Sequence, residues 1–147
     1  MAPITIRYRV APNDPTPKPF LRVWFEGTPP IRVAALVDSG ADRSALPLHL
    51  AIAVGVTYDP AKPTLSQGAG GKFEQFEATS EVLLQSEIGP IKLDRPTLNG
   101  HIPLILLGRN DFFASYRVKF DQRAGLMEIE PYGAVAKQSK RQKKRRK

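Results

Sequence analysis

Apolar and polar positions alternate along much of this chain in steps of two, the spacing of half-buried strands rather than of helices. Ile4, Ile6, Tyr8 and Val10 are interleaved with Thr5, Arg7 and Arg9, which predicts a strand with one buried face. The proline-rich stretch from Ala11 to Pro19 predicts an extended loop. Leu21 to Glu26 resumes strand character, Gly27-Thr28-Pro29-Pro30 turns the chain, and Ile31 to Val37 returns as a mostly apolar strand. Ser44-Ala45-Leu46-Pro47 predicts a helix start, with Pro47 near the first turn, where a missing N–H is harmless. Leu48, Ile52 and Val54 continue at near-helical spacing until Gly55 ends the element.

Thr64 to Leu84 reads as two extended segments around a glycine-rich tip, Gly68-Ala69-Gly70-Gly71. Ile88-Gly89-Pro90-Ile91 is a turn between short strands, and Leu104 to Leu107 is a buried strand. Asp111 to Tyr116 predicts a short helix, after which Arg117–Asp121 pairs with Leu126–Glu130 across Gln122-Arg123-Ala124-Gly125. The expectation is a mostly β chain with one or two short helices. Trp24, close to Phe20 and Phe25, is expected in the core.

Composition narrows the chemistry. A chain of 147 residues is expected to form one domain. Cysteine is absent, which excludes disulfides, thiol catalysis and thiolate metal sites. No apolar run reaches membrane-spanning length and no basic-then-apolar leader opens the chain, so a soluble, cytoplasmic protein is expected. The net charge of +8 is unevenly placed. The segment Lys137–Lys147 reads KQSKRQKKRRK and carries eight cations with no acid. Without those eight, 14 basic residues face 14 acidic ones, so the body is formally neutral. Residues 1–136 are therefore expected to fold, with 137–147 a disordered polybasic tail. Its charges suit a non-specific polyanion, either nucleic acid or an anionic surface, or a purely solvating role.

One position breaks the hydrophobic pattern in an informative way. The run Val33-Ala34-Ala35-Leu36-Val37 ends in Asp38-Ser39-Gly40-Ala41-Asp42. Burying an unpartnered carboxylate is costly, so a fold that delivers one to the end of an apolar strand usually uses it. A second apolar run, Leu104 to Leu107, ends in Gly108-Arg109-Asn110. The two histidines, His49 and His101, have no acidic or thiol ligands at metal spacing, and no G-x-S-x-G elbow exists. No metal site is expected.

Together, VAALVDSGAD and ILLGRN resemble the single-domain aspartic proteases of the retropepsin class, over roughly Ile4 to Pro131. The resemblance implies an acid-protease fold, a closed β-barrel-like domain that works as a homodimer. Asp38 matches the catalytic aspartate, and Ser39, Gly40 and Ala41 match its active-site loop. Asp42 and Arg109 match a buried ion pair that braces the dimer, with a stray surface pair as the bland alternative. Leu106-Leu107-Gly108 matches the segment threaded behind the catalytic loop. Gly68, Ala69, Gly70 and Gly71 fall where the family carries its flap, though a plain glycine-rich turn reads the same.

Only one D-[S/T]-G is present, so a pair of catalytic carboxylates requires two copies of the chain. Two carboxylates about 3 Å apart cannot both ionise comfortably and share one proton. Such a dyad hydrolyses a peptide with an activated water and needs no cofactor. The implied function is aspartic endopeptidase activity on polypeptides. The alternatives are a catalytically silent binding or dimerisation module and a nucleic-acid-associated protein acting through its basic tail.

Overall fold

The computed structural model describes residues 2–27, 29–68 and 71–133. The polybasic segment Lys137–Lys147 and the tip residues Ala69 and Gly70 lie outside the described residues, as does the expected boundary at residue 136.

The chain begins with β1 (Ile4–Arg7), β2 (Arg9–Ala11) and β3 (Asp14–Lys18). Next come β4 (Phe20–Phe25), β5 (Ile31–Val37) and β6 (Ala45–Pro47), then α1 (Leu48–Ala53). The hairpin β7 (Thr64–Gly68) and β8 (Gly71–Glu77) is followed by β9 (Val82–Ser86), β10 (Ile91–Leu93), β11 (Thr97–Asn99) and β12 (Ile105–Leu107). α2 (Phe112–Ser115), β13 (Tyr116–Asp121) and β14 (Leu126–Pro131) complete the described fold.

Nine strands form one sheet in the order β10-β9-β4-β5-β12-β6-β11-β8-β7. No ladder joins β7 to β10 among the described residues, so the expected closed barrel is not found. A separate three-stranded sheet has the order β1-β14-β13. Ile6, Met127 and Ile129 from it join Leu21, Val37, Leu84, Leu98 and Ile105 in a single core. β12 is the central thread. It runs parallel to β5, with Leu107 beside Val37, and antiparallel to β6, with Leu106 beside Ala45. The segment joining β5 to β6 therefore has to pass over the end of β12.

Several expectations need correction. The proline-rich stretch is not a loop, because β3 pairs with β2, Ala11 opposite Asp14 and Arg9 opposite Lys18. Pro15 and Pro17 donate no ladder bonds, yet β3 has a strand on one side only, where prolines are tolerated. Asn13 turns this hairpin with φ of 66°, a left-handed conformation that Asn accepts more readily than most residues. Ser44 to Pro47 does not begin a helix either. Ala45–Pro47 is a buried strand between β12 and β11, and the helix begins only at Leu48. That helix buries Leu50 and Ala51, and leaves Ile52 exposed. Finally, Trp24 is not in the core: it is half-buried and points away from the side that buries Val23 and Phe25.

Candidate active site

Asp38 immediately follows β5, and the backbone of the chain around it is held by β12. Its N–H donates to the Leu107 carbonyl at 3.0 Å, one step past the parallel ladder. The loop then closes on itself, as Ala41 N–H donates to Asp38 O at 3.2 Å and Gly40 N–H donates to the Asp38 Oδ1 at 2.9 Å. The return chain fastens it from the other side: Arg109 N–H bonds Ala41 O at 2.9 Å and Asn110 N–H bonds Asp42 O at 3.0 Å. The Asp38 carboxylate is half-buried, while Ser39 and Gly40 are exposed. An acceptor is thus presented at the surface on a backbone with little freedom.

Two glycines are needed for close approach. A Cβ on Gly108 would lie 2.5 Å from the Arg43 carbonyl carbon, 2.7 Å from its oxygen and 2.9 Å from Ser44 N. All three are backbone atoms, so nothing can swing aside. A Cβ on Gly40 would meet the Asp38 Oδ1 at 3.2 Å and push on the carboxylate itself. Leu106-Leu107-Gly108 therefore passes behind the loop, with Gly108 at the tightest point.

Asp42 and Arg109 come together as an ion pair. In the single chain this pair is exposed rather than buried, with 80% of the aspartate and 59% of the arginine side chain accessible. The hairpin expected as a flap is formed by β7 and β8, with Gly68 paired to Gly71. His49 is exposed on α1 and His101 lies in an exposed turn. Among the described residues no cluster of His, Cys, Asp and Glu could hold a metal.

Sequence reasoning missed a second layer below the loop. Ser44 and Asp111 are both buried, at 0% and 8% exposure. The Ser44 hydroxyl donates to Asp111 Oδ1 at 2.5 Å and accepts from Gly108 N–H at 2.9 Å. Asp111 Oδ1 also accepts from Phe112 N–H at 2.7 Å, capping α2, and Oδ2 accepts from Asp94 N–H at 3.1 Å. This carboxylate joins α2 to the chain after β10 and, through the Ser44 hydroxyl, to the residues entering β6 and leaving β12. The signal that was available is local, an Asp immediately before a short apolar helical run. Its bond to Ser44 spans 67 residues and has no sequence signature.

Residues 21–109, more than half of the chain, match the aspartyl protease family. The chain belongs to this family. The matched span opens in β4 and closes at Arg109, so it contains the Asp38 loop and the strand that pins it. Among solved structures, a retropepsin-like aspartic protease from Rickettsia conorii is similar, with a TM-score of 0.56 over 86% of this chain and 89% of that one. Identity is 16%, so the likeness is one of fold. No match was found among curated proteins. This family member has no helix among its described residues long and apolar enough to cross a membrane.

Proposed function

We propose that this chain is an aspartic endopeptidase in which Asp38 works opposite Asp38 of the partner subunit in a homodimer. The observation that carries the reading is the half-buried Asp38 carboxylate at the end of an apolar strand, pinned through Leu107 in a family of aspartyl proteases. Across the two-fold axis one carboxylate, ionised, takes a proton from the attacking water. The other, protonated, donates toward the scissile carbonyl oxygen, and the shared proton later reaches the departing amine. The apparent pKa values belong to the pair.

Gly40 N–H orients one carboxylate oxygen, and Ser39 and Ala41 shape the loop around it. The exposed Asp42–Arg109 pair is a surface for the partner copy to cover. Substrate lies extended between the dyad and the hairpin tip from Gly68 through Ala69 and Gly70 to Gly71, whose closure excludes water. No metal or organic cofactor takes part. Residues 1–136 form the catalytic domain, and Lys137–Lys147 is an appendage that contacts polyanions without reading sequence.

The test is digestion of a peptide library from acidic to neutral pH with wild type and Asp38→Asn at several protein concentrations. Wild-type turnover should rise more steeply than linearly while association is limiting, and Asp38→Asn should be inert but folded. A linear dependence in a monomeric sample removes the two-chain mechanism.

A further inference from the structure

A cleft of about 960 Å³ lies between the β2–β3 hairpin and the outer face of β4 and β5, and none of Asp38 to Asp42 lines it. Its floor is a four-residue patch: Trp24 stands opposite Arg32, and Arg22 opposite Ala34, across the antiparallel ladder. Val10, Pro12 and Pro17 of the hairpin form the facing wall, with Val10 left 59% exposed.

The charge of the lining is one-sided, with three arginines and no acid. Arg9 is already committed, since its guanidinium grips both Glu87 oxygens at 2.7 Å. That clamp, together with Arg9 to Phe20 O at 3.3 Å, holds the hairpin over the sheet and so maintains the opening. Arg22 and Arg32 are different. Both side chains are exposed, and neither makes an ion pair among the described residues. Arg22 has only the more distant field of Glu87, a carboxylate already bonded to Arg9 and to Arg22 N–H.

We propose that this cleft binds an acidic peptide segment, an extended stretch in which Asp or Glu side chains flank an aliphatic or aromatic one. Two uncommitted guanidiniums suit carboxylates, which they can take bidentately. The apolar side chain between those carboxylates fits against Trp24, Pro12 and Pro17. The volume stands near the top of the range of about 300–1,000 Å³ for ligand sites and accommodates several residues of peptide. Charge excludes this chain's own polybasic segment as occupant, because its eight cations would face Arg22 and Arg32. A nucleic-acid strand fits less well, since the two uncommitted cations neutralise few phosphates. The site stands whether or not Asp38 hydrolyses anything.

Trp24 is the only tryptophan in the chain and reports directly on the cleft. The experiment uses full-length Asp38→Asn protein, so that peptide stays intact, and follows Trp24 emission against a short Asp/Glu/Leu peptide and its Asn/Gln/Leu analogue. The acidic peptide should give a saturable change and bind about tenfold or more tighter than the analogue, in line with two charged hydrogen-bonded contacts. Arg22→Gln combined with Arg32→Gln should remove that advantage while circular dichroism stays unchanged. If the double variant alters the dichroism, Arg32→Gln alone is measured and should lose most of the advantage. Equal affinity in the arginine variant places the peptide outside this cleft and overturns the proposal. Equal affinity for the analogue does the same, as does an oligothymidine that binds more tightly than the peptide through the same arginines.

Discussion

The Ser44 hydroxyl bonds the Asp111 carboxylate at 2.5 Å across 67 residues, beneath the loop that presents Asp38. The same hydroxyl accepts from Gly108 N–H, so one oxygen ties the returning strand to the segment that follows the loop. Both groups are removed from water, where an unmet partner cannot be replaced by solvent.

Ser44→Ala leaves Gly108 N–H and one Asp111 oxygen each short of a partner. We expect a loss of about 2 kcal/mol in stability, read from urea denaturation, with peptide turnover falling as the loop loosens. Ser44→Thr should recover much of the activity. An unchanged denaturation midpoint in Ser44→Ala would show that the network does not brace the loop.

Gly108 and Gly40 should separate fold from chemistry. Gly108→Ala forces a Cβ to within 2.5 Å of backbone and should cost upwards of about 4 kcal/mol, seen as loss of the folded far-ultraviolet spectrum. Gly40→Ala presses on the Asp38 oxygen at 3.2 Å and should reduce turnover by about tenfold or more, since misplacing a reacting group is costly. Its urea midpoint should hardly move. The reverse order of effects would contradict the close packing described for these two positions.

Asp42 and Arg109 are exposed in the single chain, and an exposed pair contributes at most about 1 kcal/mol. Arg109→Ala should therefore leave monomer stability nearly unchanged but weaken self-association measured by sedimentation. If association is unaffected, the pair is an ordinary surface contact.

Acid should loosen the β2–β3 hairpin through Glu87. Burial pushes this carboxyl up, but bonds from Arg9 and from Arg22 N–H, with the charge of both guanidiniums, outweigh it and hold it below its usual range. The lowered folded-state value means the contribution is complete above the unfolded value of about 4.3 and is lost as pH falls through the folded one. Arg9 is held above its ordinary value by the Glu87 bond and stays charged throughout. Stability measured by urea should thus fall below about pH 4, with Glu87→Gln showing a shallower slope over that window. Parallel slopes in the two proteins would remove Glu87 from the acid response.

Local chemistry carried much of the fold in the sequence. The apolar run into Asp38-Ser39-Gly40 and the final hairpin are each specified by neighbours a few residues apart, and backbone geometry translates such patterns directly into strands and turns. The single strand expected from the alternation of Ile4 to Val10 is instead split at Tyr8 between β1, which pairs with β14, and β2, which pairs with β3, and Ile4 and Val10 are exposed. Absence of cysteine and the uneven placement of charge are likewise facts of the sequence itself.

Other features depended on what lies next to what in three dimensions. Ala45–Pro47 became a strand because β12 and β11 offered ladders on either side, which outweighed a helix-like opening. The prolines of Asp14–Lys18 were accommodated because β2 was available to pair and solvent lay beyond. Trp24 faced a cleft and not the core because strand parity gave Val23 and Phe25 the inward side. The Ser44–Asp111 bond and the squeeze at Gly108 exist only once β12 passes under the loop. Periodicity encodes which face of an element is apolar; which element receives that face, and what polar group is trapped between them, is settled by packing of the whole chain.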